Sequence, residues 1–493
     1  MAAIALNRAA LGMIGPKVRR PGYDPASVRP GIVHLGLGGF HRAHMARYTH
    51  ALMELDAGSL GWGIVGAGLL PADRQMRDSL VPQDCLYTLV ERDGKAETAA
   101  VIGSLAGVVF AGDSPEELLA AIDGAAIRIV SLTVTENGYC LDRATRTLDF
   151  NNELIRHDLA APETPRSAIG VIVEACRRRR DRGAAPFTAM SCDNIQHNGD
   201  VLRAAVLALA ERRDPALAKW IAEKVPFPNT MVDRITPVTT DEDRNYVERT
   251  YGLADRWPVL CEDFTQWVIE DRFVAGRPAW ERVGAQFVPD VAPYEIMKLR
   301  LLNASHLAVA GLGRLAGLTY IHETMQDPLL HRYMVALMDR ETGPTLPEVP
   351  GIDLADYKAT LVRRFANPAI RDTVERVNTD APLNMLVVPI NARLAMGGGV
   401  GLLALALAAW MRRVRGVDES GAPIDVRHPM AAVLREKAEE GGADPAPLFS
   451  LTGLFGALGS DARLVEAVRH WLGMLYAEGA RQTIGKAAAE LRF

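Results

Sequence analysis

One helical stretch in the second half of the chain carries side chains suited to proton transfer. The segment YEIMKLRLLNASHL holds Lys298, Asn303 and His306 within an apolar pattern of helical period. At about 100° per residue, these side chains and Glu295 share one broad face with leucines, so they should meet the protein interior. A lysine and a histidine that both point inwards are unusual. The alternative is a lysine that extends its amine to solvent beside a hydrogen-bonded core histidine.

Three further segments place polar side chains where the surrounding sequence is apolar. Glu136 ends the strand-like run IVSLTVTE, Asp193 and Asn194 follow FTAMSC, and Asp233 is centred in FPNTMVDRITP. They stand out because an apolar run gives way to a charged or amide side chain. For Glu136, a loop carboxylate that accepts hydrogen bonds from backbone N–H groups is the alternative.

A glycine-rich turn follows the apolar run that begins at Ile32. Gly36, Gly38 and Gly39 precede a helix that should begin near His41. Glycine lets backbone N–H groups approach a pyrophosphate, and a helix N-terminus favours negative charge. The spacing GxGGxxxA is a variant of the GxGxxG fingerprint, so a plain strand-to-helix turn is the alternative.

An acidic side chain follows the next predicted strand, in WGIVGAGLLPADR. In dinucleotide-binding folds, a carboxylate at the place of Asp73 accepts hydrogen bonds from the adenosine ribose and repels a 2′-phosphate. Asp73 lies 37 residues after Gly36, which requires a longer crossover than usual. The alternative is a helix N-cap.

The first half of the chain alternates strand-like runs with helical stretches. This alternation predicts a mostly parallel sheet covered by helices. The predicted strands are Gly31–Leu35, Gly63–Gly66, Tyr87–Glu91, Ile127–Thr133 and Phe187–Ser191. The predicted helices are Arg42–Leu55, Pro115–Ile122, Ser167–Arg182 and Val201–Glu211.

After about residue 290 the apolar spacing is helical throughout, with connectors expected at 340–352, 378–389 and 416–428. We therefore predict an α/β domain over residues 1–290 and an all-α domain over residues 291–493. The apolar run Gly397–Met411 is too short to span a membrane and indicates a buried helix.

The composition argues against several functional classes. A net charge of −5, with 55 basic residues spread along the chain, gives no support for nucleic-acid or membrane binding. Five cysteines without a CxxC pair indicate a reducing, cytoplasmic compartment. Without paired cysteines or an HExxH motif, no zinc-ligand set is expected.

Taken together, five motifs resemble the polyol-specific long-chain dehydrogenase family, which includes mannitol 2-dehydrogenases and the fructuronate and tagaturonate reductases. The motifs are GLGGFHRAH, TVTENGY, SCDNIQHNG, FPNTMVDRITP and YEIMKLRLLNASHL. The resemblance runs from about residue 30 to 480, and its Lys-xxxx-Asn-xx-His pattern is specific. It implies an N-terminal Rossmann-type domain, a helical C-terminal domain, a cleft between them and metal-independent, NAD(P)-linked chemistry.

The resemblance also implies catalytic roles. Lys298 is the general base, Asn194 and Asn303 form an oxyanion hole, and Glu136 relays the proton between Lys298 and solvent. Because the ordinary pKa of lysine is about 10.4, desolvation is expected to lower it. Asn194 belongs to the sheet domain and Asn303 to the helical domain, so we expect domain closure to assemble the site.

Substrate and cofactor contacts follow from the same resemblance. Asp233, His306 and Arg376 match positions that hold substrate hydroxyls, although an exposed helix arginine is the alternative for Arg376. Asp73 matches the acidic position associated with NAD rather than NADP. The implied cofactor loop consists of Gly36, Leu37, Gly38, Gly39 and Phe40.

One segment departs from the family pattern. Many members carry a DGSxK-type stretch that supplies a lysine near the substrate, but this chain reads NTDAPLNMLVVP, with Asn384 at the lysine position. Because a carboxylate-bearing substrate benefits from a fixed cation, this favours a neutral polyol of the mannitol, D-arabinitol or sorbitol type.

The expected function is therefore NAD-dependent oxidation of a polyol to a ketose, by a monomer or homo-oligomer. Two alternatives stay open: a hexuronate (fructuronate or tagaturonate) reductase of the same family, and a dinucleotide-binding sensor without turnover.

Overall fold

The chain folds into two compact units. The structure is a computed structural model that describes residues 3–112, 114–142, 145–380 and 382–493. The N-terminal unit comprises Met1–Ala292 and the C-terminal unit Pro293–Phe493. The two units differ in secondary structure, as the change in apolar spacing near residue 290 led us to expect.

A five-stranded, all-parallel sheet forms the centre of the N-terminal unit. Numbered along the chain, its strands lie in the order 3-2-1-4-5, the arrangement of dinucleotide-binding folds. The predicted mostly parallel sheet is therefore confirmed. In spatial order the strands are Leu105–Phe110, Gly63–Gly68, Pro30–Leu35, Ile129–Leu132 and Thr188–Ser191.

Both faces of this sheet are buried, which explains the nearly continuous apolar strands. In the strand Pro30–Leu35, Val33 and Leu35 pack into one core cluster and Ile32 packs into another. Successive side chains of a strand point to opposite faces of the sheet. The first cluster includes the helices Pro115–Asp123 and Ala168–Asp181. Helices on both faces are what parallel crossovers require.

One predicted strand, Tyr87–Glu91, lies in a second sheet and not in the parallel one. Tyr87–Arg92 pairs antiparallel with Glu97–Ile102 in a four-stranded mixed sheet, which also contains Val18–Arg19 and Val259–Glu262. The hairpin turn carries an Asp-Gly pair at 93–94, a turn signal that the sequence analysis did not use. The strand Leu105–Phe110, which completes one edge of the parallel sheet, was not predicted.

Further elements complete the N-terminal unit. The helix expected at Arg42–Leu55 is interrupted at His44, whose backbone is not helical. The remaining strands are Ile4–Ala5, Thr230–Asp233, Leu253–Ala254, Gln266–Glu270 and Gln286–Val288. The other α-helices are Gly39–Ala43, Met45–Leu55, Asp73–Leu80, Glu153–Ala160, Asn198–Arg213, Pro215–Lys224 and Asp241–Tyr251.

The C-terminal unit is helical, and its described residues form isolated β-bridges but no strand. The helix Gly401–Arg413 is buried along its length, as predicted for the apolar run. The other helical segments are Ala292–Met297, Lys298–Asn303, Ala304–Leu315, Ile321–Gln326, Pro328–Leu337, Met338–Thr342, Leu354–Phe365, Val374–Asp380, Asn384–Ala395, Ala431–Gly441, Ala446–Phe449, Thr452–Phe455 and Ala462–Glu490.

The prediction of a connector at 378–389 is wrong. Most of it lies in two helices, Val374–Asp380 and Asn384–Ala395. The prolines misled the prediction, because Pro389 lies inside the second helix. None of the helices in the described ranges combines the length and apolar character that a membrane crossing requires.

Candidate active site

The lysine, asparagine and histidine motif lies on one helical run with a wide turn in its middle. An α-helix over Ala292–Met297 continues as a π-helix over Lys298–Asn303 and then as an α-helix over Ala304–Leu315. The amide of Ala304 bonds the carbonyl of Leu299, five residues back. Such π segments are rare in proteins and are frequent at functional sites.

The π turn changes the angles that a straight helix predicts. At 100° per residue, Asn303 would lie about 140° from Lys298. One extra residue in the turn rotates everything after it back by about 100°, which brings Asn303 and His306 to within about 40° of Lys298. The three side chains therefore share a narrower stripe than the sequence pattern indicated.

This stripe faces the protein interior, as predicted. Glu295, Lys298, Asn303 and His306 are each between 5% and 8% exposed. Asn303 Nδ2 is buried and has no hydrogen-bond partner in the part of the chain that the structure describes. Leaving a buried donor unpaired costs about 1–3 kcal/mol, so an amide in this state needs an explanation.

A carboxylate that the sequence analysis missed lies beside His306. Asp372 Oδ2 is 3.3 Å from His306 Nε2, a close approach without hydrogen-bond geometry, and Phe365 stacks on the imidazole at 4.3 Å between ring centroids. Burial acts to raise the pKa of Asp372, but His306 and Arg376 outweigh it and lower the pKa, so the side chain is a carboxylate. The one available signal was the spacing of four residues between Asp372 and Arg376.

Arg376 and Asn384 lie on two consecutive helices of the C-terminal unit, Val374–Asp380 and Asn384–Ala395. Arg376 donates through Nε and Nη2 to the two carboxylate oxygens of Asp372, at 2.6 and 2.7 Å, while half of its side chain stays exposed. The structure thus links Arg376 to His306 through Asp372. Asn384 is the exposed first residue of its helix.

In the N-terminal unit, the glycine turn lies at the carboxyl end of the central strand. Gly36 has φ +90°, and a Cβ there would lie 2.1 Å from the carbonyl oxygen of Thr133, so only glycine fits. A Cβ on Gly38 would meet no atom within 4 Å, so the backbone is open to a ligand on that side. This position is where parallel α/β sheets bind nucleotides, and the turn fits the pyrophosphate of NAD.

Buried polar side chains stabilise this turn through a series of hydrogen bonds that ends at the carbonyl of Gly36. His34 bonds Ser131 Oγ through Nδ1 and Thr133 Oγ1 through Nε2, each at 2.8 Å. Thr133 in turn donates to the carbonyl of Gly36 at 2.9 Å. Burial lowers the pKa of His34 to about 3, so the ring is neutral and can act as both donor and acceptor.

Asp193 fixes the loop that carries Glu136. Its carboxylate accepts hydrogen bonds from the amides of Val134 and Thr135 at 3.1 and 2.8 Å, and from the hydroxyl of Tyr139 at 2.9 Å. Thr135 has φ +60° and ψ 171°, a region that is essentially restricted to glycine. Strain of this kind clusters at active sites.

Glu136 and Asn194, both predicted to be catalytic, are exposed within the N-terminal unit. The Glu136 carboxylate pairs with Arg146 at 2.6 Å rather than capping backbone amides. Asn194 follows the strand Thr188–Ser191, directly after the anchored Asp193. Both lie beyond the carboxyl ends of strands, as expected.

Asp233 ends its own short strand and is 5% exposed. The nearby Asn198 connects the SCDN and VDR motifs, since its Nδ2 donates to the carbonyls of Asp193 and Thr230, both at 2.9 Å. Several polar residues of these motifs therefore have a structural role, which spacing alone did not reveal.

Comparison with known proteins places this arrangement in a family. Residues 30–282 match the model of the mannitol dehydrogenase Rossmann domain, and residues 290–476 match that of the mannitol dehydrogenase C-terminal domain. The chain belongs to the mannitol dehydrogenase family. The predicted fold class, a Rossmann-type domain followed by a helical domain, is thereby confirmed, and so is the resemblance inferred from the motifs.

Relatives in the family cover nearly the whole chain. A mannitol 2-dehydrogenase of Neosartorya fischeri is 42% identical over 99% of both chains, and a D-mannonate oxidoreductase of Escherichia coli is 45% identical over 95% of this chain and 97% of its own. The Pseudomonas fluorescens mannitol 2-dehydrogenase, solved as a ternary complex with NAD and D-mannitol, is 43% identical and superposes with a TM-score of 0.89 over 99% of this chain and 100% of its own.

Asp73 begins the helix that follows the strand Gly63–Gly68, and the sequence predicts for it a contact to the adenosine ribose. It is the first residue of its helix, and Oδ2 accepts hydrogen bonds from the amides of Leu69 and Leu70, both at 2.9 Å. The carboxylate thus organises the turn, as the capping alternative implied, although Ala72 is the N-cap. This does not conflict with a role towards the ribose.

We expect Asp73→Ser to shift the cofactor preference towards NADP. Serine keeps an acceptor for the turn but removes the charge that repels a 2′-phosphate, so the ratio of kcat/KM for NADP to that for NAD should rise about tenfold or more. Steady-state kinetics with both cofactors measure this ratio. The control is Asp78→Ser, which replaces an exposed carboxylate on the same helix. An equal change of the kcat/KM ratio in both variants would contradict the assignment.

Asp193 is buried in the N-terminal unit, so we expect its carboxylate to make the stability of the fold depend on pH. Burial raises its pKa from 3.8 to about 6, despite hydrogen bonds that lower it. Between these values the folded chain binds more protons than the unfolded chain, so the free energy of unfolding that this group contributes increases as pH falls. Urea unfolding should show the stability of the wild type, relative to Asp193→Asn, growing by roughly 2 kcal/mol from pH 7.5 to pH 4. Parallel pH profiles would refute the assignment.

Cysteines and metal-ligand residues show no special arrangement in the described structure. All five cysteines are buried and none forms a disulfide. Across the described ranges, no group of three or more histidine, cysteine, aspartate or glutamate side chains could hold a metal ion.

Proposed function

We propose that this chain oxidises a secondary alcohol of a neutral sugar alcohol to the ketose with NAD, and that Lys298 is the general base. One observation carries the proposal. The π turn that begins at the buried Lys298 ends at Asn303, whose buried amide nitrogen has no acceptor among the residues that the structure describes. A base and an unpaired donor on one turn suit an alcohol that loses its proton and leaves charge on oxygen.

In this mechanism, each group does one task. When bound, NAD supplies the acceptor for the hydride that leaves the alcohol carbon. The amine of Lys298 takes the hydroxyl proton, and the amides of Asn303 and Asn194 donate hydrogen bonds to the oxygen as it becomes negative. Pre-placed donors of this kind contribute about 3–4 kcal/mol. Glu136, which is exposed, passes the proton from Lys298 to solvent.

Asp233, His306 and Arg376 hold the other hydroxyls of the substrate. The pairing of the Arg376 guanidinium with Asp372 supports a neutral substrate, and so does the uncharged Asn384 at the position where the family pattern has a lysine. The D-mannitol bound to the Pseudomonas fluorescens relative also supports a polyol. The identity of 45% to a D-mannonate oxidoreductase supports a second candidate, a carboxylate-bearing sugar acid.

A substrate panel separates the two candidates. We expect the purified enzyme, dialysed against a strong chelator, to reduce NAD with D-mannitol, D-arabinitol or D-sorbitol at a higher kcat/KM than with D-mannonate. A higher kcat/KM for D-mannonate would instead establish the sugar-acid oxidoreductase. Loss of activity on chelation, restored by a divalent metal, would refute the metal-independent mechanism. NAD binding without turnover on any substrate would establish the sensor.

The five unpaired, buried thiols support a reducing compartment, so we expect the enzyme to work in the cytoplasm. The net charge of −5 argues against a nucleic-acid partner.

A further inference from the structure

A compact polar cluster surrounds the carboxylate of Asp372 in the C-terminal unit. We call it the Asp372 cluster, and it consists of Asp372, His306, Arg376 and Phe365. The Asp372 side chain is 7% exposed and contacts both His306 and the guanidinium of Arg376. One carboxylate thus connects two residues that the family resemblance assigns to substrate binding.

The backbone holds this carboxylate in place. Arg371, just before it, has φ +50°, in the left-handed region that non-glycine residues seldom adopt. The amide of Ile321 donates to the carbonyl of Asp372 at 2.9 Å, and the amide of Val374 donates to that of Thr319 at 3.0 Å. Asp372 therefore lies on a short segment that is hydrogen-bonded, through its own carbonyl and the amide of Val374, to the segment 319–321 of the same chain.

We propose that Asp372 is a positioning residue that sets the polarity of the substrate contacts, an inference that rests on the proposed function. It acts in two ways. The negative charge of its carboxylate, 3.3 Å from His306 Nε2 but outside hydrogen-bond geometry, favours the ring tautomer with the proton on Nε2, and it neutralises the charge of Arg376. His306 then offers Nδ1 to the substrate as an acceptor, and Arg376 offers N–H donors with little net charge. Such a pair suits hydroxyl groups better than a carboxylate.

The chemistry follows from general rules. A neutral imidazole has one donor and one acceptor nitrogen, and a carboxylate beside one nitrogen selects the tautomer with the proton there. Phe365 stacks on the ring at 4.3 Å and restricts its rotation. An Arg-carboxylate pair with two parallel hydrogen bonds is geometrically fixed and largely neutral as a unit.

A double-mutant cycle tests the link to His306. Asp372→Asn should raise KM for D-mannitol about tenfold or more, with a smaller change in kcat and unchanged NADH binding. In His306→Asn, adding Asp372→Asn should cost little more, because the carboxylate then has no imidazole to orient. Fully additive effects would overturn the proposal, as would an Asp372→Asn enzyme that behaves like the control Asp339→Asn, an exposed carboxylate paired with Lys358.

Specificity tests the neutralisation of Arg376. Asp372→Asn should shift the ratio of kcat/KM for D-mannonate to that for D-mannitol about tenfold towards D-mannonate, since Arg376 regains its charge. Asp372→Glu keeps the charge but displaces it, so it should raise KM for D-mannitol and leave this ratio unchanged. An unchanged ratio in Asp372→Asn would overturn the claim about Arg376. If Asp372→Asn does not fold, a shifted ratio in Asp372→Glu would overturn it.

Nitrogen NMR of the histidine rings gives a readout that does not depend on turnover. With His306→Asn used to assign the signal, the wild type should show the Nε2–H tautomer for His306, and Asp372→Asn should show a mixture. The same tautomer in both would overturn the inference. A wild type that oxidises no polyol would overturn the proposed function instead, and the tautomer would still decide whether Asp372 orients His306.

Discussion

Replacement of Lys298 by alanine should lower kcat for polyol oxidation by about 10³- to 10⁴-fold, the upper part of the range for general acid–base catalysis. The amine is buried at the start of the π turn, and alanine offers no group that can accept the hydroxyl proton. Initial rates of NADH formation measure the effect. NADH binding, followed by fluorescence, should be almost unchanged because the predicted cofactor loop belongs to the N-terminal unit.

Lys358→Ala is the matched control for this prediction. Lys358 lies in the same unit, and its amine pairs with Asp339 at 2.7 Å. We expect this variant to keep nearly full activity, because a surface ion pair contributes little. A Lys298→Ala enzyme within tenfold of the wild type would show that another group takes the proton.

Replacement of Asn303 by leucine should lower kcat by about 10²- to 10³-fold, the range for removal of one oxyanion donor. The same substitution should not lower the stability of the fold. Because Asn303 Nδ2 is buried and has no acceptor within the described ranges of the chain, an apolar side chain of similar shape removes an unsatisfied donor. We therefore expect the free energy of unfolding to stay constant or rise by about 1 kcal/mol.

Urea unfolding and steady-state kinetics on the same preparation test this combination. Asn391→Leu is the control, since Asn391 is an exposed helical residue whose Nδ2 bonds a backbone carbonyl at 3.1 Å. It should leave kcat unchanged. If Asn303→Leu lost activity and stability together, the amide would be a structural group and the oxyanion assignment would be wrong.

Much of the framework could be predicted because it depends on periodic burial. The parallel strands are apolar on both faces, and the helix Gly401–Arg413 is apolar all round, so both appear in the pattern of residue types. The Tyr87–Arg92 strand was found but assigned to the wrong sheet, because its hairpin partner could be identified only from the Asp-Gly turn. Apolar runs specify burial more clearly than strand pairing.

The candidate site was predictable to a smaller extent. Lys298, Asn303 and His306 could be named because their side chains interrupt an apolar helix, and the family motif supplied their roles. The π turn could not be predicted, since the spacing on either side of it is α-helical. Asp372 also escaped notice, because its contact to His306 joins residues distant in sequence and because acidic residues are common before a helix.

The pH dependence of kcat/KM for D-mannitol oxidation, measured for the wild type and for Lys298→Ala, tests the account most directly. If the amine at position 298 takes the hydroxyl proton, the wild-type profile should rise with pH and level off once that amine is deprotonated. In Lys298→Ala the plateau should vanish, because the residual rate should increase with hydroxide concentration over the whole pH range. The same rise and plateau in both enzymes would show that the base lies elsewhere.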